Sequence, residues 1–202
     1  MKILVTGFKP FLGQALNPSE ILSNELALLF DEVESQILPV QFGKSFELVR
    51  DSIKNNRPDY LIMIGQAGGR KNICFEKIGI NWVQTEVKDE SGNSPLAGRL
   101  CNEAPLALMP IFPIESSFLH LKKLGFPVEI SFSAGTYVCN ELYFRVLKEF
   151  GDLKSVFIHV PFLPEQIQVG KIEPSLSFDS ELACLRAMIE FLVKDSDVQK
   201  SK

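Results

Sequence analysis

The sequence is short of the residues that build metal sites. It has only two histidines, which stand far apart, and four cysteines without a CxxC pair. This spacing argues against a structural zinc site. In a reducing compartment the cysteines are expected to be free thiols, so each one serves either packing or chemistry. They are Cys74, Cys101, Cys139 and Cys184.

Clusters of basic residues and long hydrophobic runs are also missing. The formal net charge is -4, and no patch of Lys and Arg suits nucleic acid. The opening segment MKILVTGF is too short for a signal peptide or a membrane span. We therefore expect a cytosolic protein that binds neither nucleic acid nor membrane. No cofactor is predicted, because Gly43-Lys44-Ser45 lacks the earlier glycine of a phosphate-binding loop.

Short apolar strands alternate with amphipathic helices along the 202 residues. This alternation predicts one domain, 1–202, built as a three-layer α/β/α sandwich around a mostly parallel, twisted sheet. The polar segment 84–98 is predicted to be an exposed loop, and 195–202 a frayed end. The predicted strands are 2–8, 35–40, 59–65, 73–82, 127–133 and 155–160, and the predicted helices are 19–30, 44–56, 115–125, 138–150 and 175–195.

Cys139 has the position that best suits a nucleophile. It lies at the start of the predicted helix 138–150, directly after a turn that contains Gly135. Free amide N–H groups and the macrodipole at a helix start favour a thiolate, and the same amides can bind an oxyanion. The alternative is a buried packing cysteine, which is the commoner role of a lone thiol.

The other three cysteines are weaker candidates. Cys184 lies among apolar residues of the last predicted helix and is assigned to packing. Cys74 alternates within a strand, and Cys101 has no basic neighbour beyond Arg99 to lower its pKa. We expect none of them to act as a nucleophile.

A cysteine nucleophile needs a base, and histidine fits that role best near neutral pH. His159 ends an apolar strand, at the edge where ligands bind in open α/β sheets. An equal alternative for His159 is a structural role as a buried histidine whose ring nitrogens are hydrogen-bonded in the core. His120 lies near the end of the predicted helix 115–125, where a surface role fits better.

Glu76 is a carboxylate on an otherwise apolar face. On the predicted strand 73–82 it shares that face with Cys74, Ile78 and Ile80. It could orient a histidine by accepting its second ring proton. Pairing with a lysine or a loop amide is the alternative, and the residues alone favour it.

Several segments together resemble the type I pyroglutamyl peptidases over nearly the whole chain. The matching stretches are VTGFKPFLG with Asn17-Pro18, LPVQFGKS, IGQAGGR, FEKIGIN, SFSAGTYVCN and HVPFLPEQI. The resemblance implies a cysteine peptidase that removes N-terminal pyroglutamate through an acyl-enzyme. It implies a catalytic Glu76, Cys139 and His159, an α/β/α sandwich and a homo-oligomer, either a dimer or a tetramer.

The resemblance also implies a substrate pocket. Phe8 and Phe11 stand where the family lines its pocket with aromatic rings, and apolar walls suit a flat, uncharged lactam. Asn17 and Gln66 are assigned to substrate binding on the same basis. From the residues alone, Phe8 and Phe11 could equally anchor the first turn in the core. Arg70 could equally have a structural role.

One loop departs from the family pattern. In the family this loop reads roughly N-x-x-D-A-R-I-P-D-N-x-G, whereas residues 81–92 read NWVQTEVKDESG. Glu86 then stands in place of the Arg, and Lys88 in place of the Pro. An anion near the thiol would raise its pKa and slow catalysis roughly a hundredfold, unless Lys88 supplies the missing charge. The alternatives are therefore a related amidohydrolase for another acyl group, or a weak or silent binding homologue.

Overall fold

A six-stranded sheet forms the centre of the molecule. The computed structural model describes residues 1–168 and 170–200, with side chains through Asp195. The six strands are β1 Ile3–Phe8, β2 Val33–Leu38, β3 Tyr60–Gln66, β4 Ile73–Glu76, β7 Val128–Ser131 and β8 Lys154–Val160. Their order across the sheet is β2-β1-β3-β8-β4-β7. Two short strands, β5 Gly79–Ile80 and β6 Ala107–Leu108, pair separately and antiparallel.

Five α-helices of the described residues cover the two faces of this sheet: α1 Pro18–Leu29, α2 Lys44–Asn56, α3 Ile114–Lys123, α4 Val138–Glu149 and α5 Phe178–Lys200. Helices α1, α3 and α5 contribute to the core on one face. Helices α2 and α4 contribute to the core on the other. The predicted three-layer α/β/α sandwich is confirmed.

The sheet is mostly parallel, as predicted, and one pairing is antiparallel. Strand β8 runs parallel to β3 on one side and antiparallel to β4 on the other. The central strands β1 and β3 are buried almost throughout, which explains their near-continuous apolar sequences. Because β4 pairs with β8, residues of β4 lie beside the end of β8.

Apart from shifts of a few residues at the ends of other elements, two predictions differ from the structure. The predicted strand 73–82 is two strands, because β4 ends at Glu76 and the chain leaves the main sheet before β5. Ile78 and Ile80 therefore do not continue the face of Glu76. At the other end of the chain, α5 continues to Lys200, so the frayed end predicted from residue 195 is wrong for 195–200, while 201–202 lie outside the described residues.

Within the part of the chain that the structure describes, no helix has both the length and the apolar character needed to cross a bilayer.

Candidate active site

Cys139 is the second residue of α4, next to the sheet. The helix begins at Val138, and its N-cap residue, Tyr137, makes no side-chain capping bond, so the N–H groups of the first turn remain available. A methyl group built on Gly65 would lie 3.3 Å from the Cys139 sulfur. Gly65 is the partner of His159 in the β3–β8 ladder. The sulfur therefore lies over β3, beside the strand that carries the histidine.

His159 is fixed by a buried carboxylate. Its Nδ1 lies 2.7 Å from Glu76 Oε1, and both side chains are almost fully buried. In the antiparallel ladder Cys74 lies opposite His159, so Glu76 is a diagonal neighbour on the same face, within reach of a long side chain. A carboxylate can only accept, so Nδ1 carries the proton and Nε2 is free to act as a base.

Arg70 is a residue of this site whose role the sequence left open. One guanidinium nitrogen lies 3.0 Å from Glu76 Oε1 and donates to the Ser133 carbonyl at 3.0 Å. Arg70 therefore connects the carboxylate to the turn that precedes α4. Its sequence signal was a cation shortly after a strand end, which gives no partner. The Tyr143 hydroxyl also donates to the Glu76 carbonyl at 2.8 Å, which fixes the backbone of the carboxylate.

The electrostatics of the pair differ from the sequence expectation. Burial, and then the charge of Glu76, raise the pKa of the Cys139 thiol well above its ordinary value. Burial lowers the pKa of His159, although its hydrogen bond to Glu76 acts in the opposite direction. Burial therefore opposes the thiolate that the helix start was expected to favour. These shifts favour a neutral thiol and a neutral imidazole in the resting site.

A cavity of about 410 Å³ opens beside Cys139 and contains the predicted pocket residues. Phe8 lines this cavity and is also buried in the core. Phe11 stacks on Tyr137 with ring centroids 5.8 Å apart. The walls are mainly apolar, and the lining residues are Phe8, Phe11, Leu12, Gln14, Asn17, Val40, Gln66, Gly68, Thr85, Val87, Tyr137, Cys139 and Phe162.

Asn17 lines the cavity, but most of its polar atoms are already used. Its Oδ1 accepts from the Ser19 amide and hydroxyl, and its Nδ2 donates to the Lys9 carbonyl. It is the N-cap of α1. Asn17 therefore fixes the turn that carries Phe11, and one N–H remains for a ligand.

The divergent loop contributes uncharged side chains to the site rather than its charges. Thr85 and Val87 line the cavity, whereas Glu86 and Lys88 are exposed. Among the described residues, the charges that act on the pKa of Cys139 are those of Glu76 and Arg70. The expected effect of Glu86 on the thiol is therefore wrong, because the side chain points to solvent.

The same loop is held in place by a buried aspartate. Asp89 Oδ1 accepts from the backbone of Ser91 and Asn93, and Oδ2 accepts from the Phe42 amide at 2.9 Å. The Tyr137 hydroxyl donates to the Lys88 carbonyl at 3.1 Å. The loop has no helix or regular strand, as predicted, yet it packs as a wall of the cavity.

The remaining thiols lie in different environments. Cys184 is fully buried in the α5 core, as predicted, and Cys74 is buried with its sulfur directed at the Asn72 carbonyl. Cys101 corrects the sequence expectation, because a hydrogen bond from Lys148 lowers its pKa. That lysine lies on α4, far along the sequence from the cysteine. His120 stacks on an aromatic ring of α5 and is away from the cavity.

A cysteine beside a buried histidine–carboxylate pair, at the start of a helix in an α/β/α sandwich, is the arrangement of a cysteine hydrolase. A sequence model of the family described as pyroglutamyl peptidase matches residues 1–195. The chain belongs to the pyroglutamyl peptidase family.

Individual relatives agree with this assignment. The chain is 39% identical to a pyrrolidone-carboxylate peptidase of Fusobacterium nucleatum, over 98% of this chain and 96% of that one. It is similar to the crystal structure of pyroglutamyl peptidase I of Bacillus amyloliquefaciens, with a TM-score of 0.85 and 34% identity over 93% of this chain and 94% of that chain. A mutant pyrrolidone carboxyl peptidase of Pyrococcus furiosus gives a TM-score of 0.87 and 33% identity over 96% and 99%. The predicted family and enzyme class are confirmed, and the relatives do not favour the alternative functions.

Proposed function

We propose that this protein is a cysteine peptidase that hydrolyses the N-terminal pyroglutamyl-peptide bond through an acyl-enzyme on Cys139. The observation that carries the proposal is the common location of three groups. The Cys139 sulfur, the buried Glu76–His159 pair and an aromatic-walled cavity meet at one end of the sheet. Such a cavity suits a small, flat, uncharged lactam.

In the proposed reaction, His159 Nε2 takes the proton from the Cys139 thiol as the sulfur attacks the carbonyl carbon. The tetrahedral intermediate carries its negative charge on the former carbonyl oxygen, and the first-turn N–H groups of α4 stabilise it. The C–N bond then breaks while His159 returns the proton to the leaving amine. Water, activated by the same imidazole, hydrolyses the thioester and frees pyroglutamate and the thiol.

Coupled proton transfer suits the resting electrostatics. Since burial raises the pKa of Cys139 and lowers that of His159, a stable ion pair is disfavoured before substrate arrives. Glu76 holds the imidazole in the tautomer with a free Nε2 and stabilises the imidazolium that forms during attack. Arg70 is proposed as a positioning residue, because it ties Glu76 to the turn before α4.

For the substrate, we assign the ring walls to Phe8 and Phe11 and polar recognition to Asn17 and Gln66. All four line the cavity. The aromatic rings bury the lactam ring, and amide groups satisfy its C=O and N–H. A substrate with a charged free amine would lose hydration in this apolar slot without a matching charge, so N-terminal pyroglutamate is favoured over ordinary amino acids.

The test is release of a chromogenic amine from a pyroglutamyl substrate by purified protein. We expect turnover by the wild type and by Cys101→Ala, the control for a second accessible thiol, and at least a thousandfold loss in Cys139→Ala. Equal activity in Cys139→Ala and wild type would refute the proposed nucleophile. If a panel of other N-terminal acyl groups is cleaved while pyroglutamyl substrates are not, the acyl-group assignment is wrong.

We further propose that the enzyme works in the cytosol as a homo-oligomer, a dimer or a tetramer of the single domain 1–202, without nucleic acid or membrane partners. Four free cysteines suit a reducing compartment. Cell fractionation tests the location, and light scattering of the purified protein tests the assembly. A monomer at micromolar concentration would refute the oligomer.

A further inference from the structure

Gln166 has no place in the reaction described above, yet its side chain is hydrogen-bonded at both ends next to the cavity. It ends a short 3₁₀ helix, Pro164–Gln166, which follows β8. Its Oε1 accepts from the Leu163 amide at 2.9 Å. Its Nε2 donates to the Leu16 carbonyl at 3.3 Å and to Gln66 Oε1 at 2.7 Å.

Two backbone groups determine the direction of the Gln166 side-chain amide, because one can only donate a hydrogen bond and the other can only accept one. The Leu163 N–H can only donate, so the Gln166 atom it meets must be oxygen. The Leu16 carbonyl can only accept, so the other Gln166 atom must be nitrogen. Two independent backbone partners therefore give the same orientation of the Gln166 amide. That orientation in turn fixes the side-chain amide of Gln66.

Gln66 receives its orientation from Gln166. Since Gln166 Nε2 is a donor, its Gln66 partner must be the acceptor oxygen. The Gln66 Nε2 group then faces away from this contact, and among the described residues it has no hydrogen-bond partner. Gln66 ends β3 and lines the cavity beside Cys139. Of the Gln66 amide, the Nε2 donors and not the carbonyl oxygen are therefore left for a ligand in the cavity.

A donor at this place suits a specific chemical group. A pyroglutamyl ring carries a lactam C=O, which accepts hydrogen bonds, whereas a prolyl ring carries a cationic secondary amine and no acceptor. We propose that Gln166 is a positioning residue that orients Gln66 so that its Nε2 donates to the lactam oxygen, which selects pyroglutamyl over prolyl N-termini. This inference rests on the proposed function and adds to it the residue that sets its selectivity.

The test inverts the amide by one substitution. In Gln166→Glu the introduced carboxylate can still accept the hydrogen bond from the Leu163 amide. It has no N–H to donate to Gln66, so it can only accept a hydrogen bond from the Gln66 side chain. Gln66 is then expected to rotate and present its oxygen to the cavity. We expect roughly a 10- to 100-fold fall in kcat/KM for a pyroglutamyl amide, the effect of one lost hydrogen bond, carried by KM with kcat nearly unchanged. Discrimination against the matching prolyl amide should fall by a similar factor.

Two controls separate positioning from general damage. Gln168→Glu makes the same charge change at an exposed position two residues further on, and it should behave as wild type. In a Gln66→Leu background, Gln166→Glu should change KM by less than about threefold, because its effect acts through Gln66. A purely structural role would give the same loss in both backgrounds. If Gln166→Glu does not fold, Gln166→Met serves in the same cycle.

The outcomes distinguish this inference from the proposed function. A wild type that cleaves pyroglutamyl amides, with KM and selectivity unchanged in the Gln166 variants, overturns the inference alone. A wild type that cleaves no pyroglutamyl substrate overturns the proposed function and this inference with it. The inference is supported when KM rises, selectivity falls and both effects disappear in the Gln66→Leu background.

Discussion

Replacement of Gly65 by alanine should disable the site although none of its reacting groups is replaced. A Cβ at this position would lie 2.8 Å and 2.9 Å from two carbons of the Phe157 ring and 3.3 Å from the Cys139 sulfur. Carbon atoms in contact need about 3.5–4.0 Å. The ring must therefore move by at least about 0.7 Å, and the sulfur by a few tenths of an ångström. Phe157 also packs against the ring of His159, so both reacting groups are displaced.

The expected loss in the Gly65→Ala variant follows from these displacements. Overpacking a core position costs about 1–3 kcal/mol of unfolding free energy, and a misplacement near 1 Å costs up to about a hundredfold in rate. We expect kcat to fall roughly 10- to 100-fold, with KM changed less. Steady-state kinetics and thermal unfolding measure the two effects separately.

Gly98→Ala is the matched control, because an added Cβ there would have only the Leu96 carbonyl oxygen within reach, at 4.0 Å. This control should retain wild-type kcat. If Gly65→Ala also keeps kcat within about threefold of wild type, the location of the sulfur over β3 is wrong.

Three further perturbations follow from buried charges. Burial raises the pKa of Glu181 to about 8, so the folded state holds a proton that the unfolded state releases near pH 4.5. The unfolding free energy should therefore fall by on the order of 4 kcal/mol from pH 5 to 8. Urea titrations of Glu181→Gln should not show this fall with pH. A fall as large as in the wild type would contradict the raised pKa of Glu181. The lowered pKa of His159 predicts that the acid limb of kcat/KM lies below the ordinary histidine value, since protonated imidazole cannot take the thiol proton. Arg70→Gln removes a positive charge that lowers the pKa of His159. The acid limb of kcat/KM should therefore move to higher pH, and kcat should fall roughly tenfold. An unmoved acid limb would show that Arg70 does not act on the Glu76–His159 pair. Asp89→Asn loses the acceptor for Phe42, and should raise KM and cost about 1–3 kcal/mol of stability; unchanged values would mean that the loop does not need this bond.

Local patterns were enough to predict most of the fold. The helical spacing of 44–56 gave α2 with its observed ends, Lys44–Asn56. The continuous apolar segments gave β1 and β3, because strands buried on both faces have few polar positions. The pairing of β5 with β6 was missed, because two-residue strands carry no periodicity and are joined by a long loop.

The candidate site was predictable where a residue's location depends on its own element. Cys139 at a helix start and His159 at a strand end follow from local sequence. The contact between Arg70 and Glu76 depends on the path of the chain from β3 to β4, which no local pattern fixes. Lys148 reaches Cys101 across the fold for the same reason. Family resemblance supplied the roles of these residues, and the structure supplied their contacts.

Charge effects were the least predictable part of the site. An exposed side chain and one that faces a cavity look the same in a sequence, so Glu86 was expected to act on the thiol although it points to solvent. The burial of Cys139 and His159 changes their pKa values in opposite directions, and burial is a property of the whole packed core. Such shifts require the tertiary structure.

Trapping the acyl-enzyme tests most directly whether Cys139 is the nucleophile. A pyroglutamyl ester or amide is mixed with the protein, quenched with acid on the millisecond to second scale, digested and mapped by mass spectrometry. We expect a pyroglutamyl group on the peptide that contains Cys139, which appears before steady state and is absent from the Cys139→Ala variant. Turnover without a modified Cys139, or an acyl group on Cys74 or Cys101 instead, would contradict it.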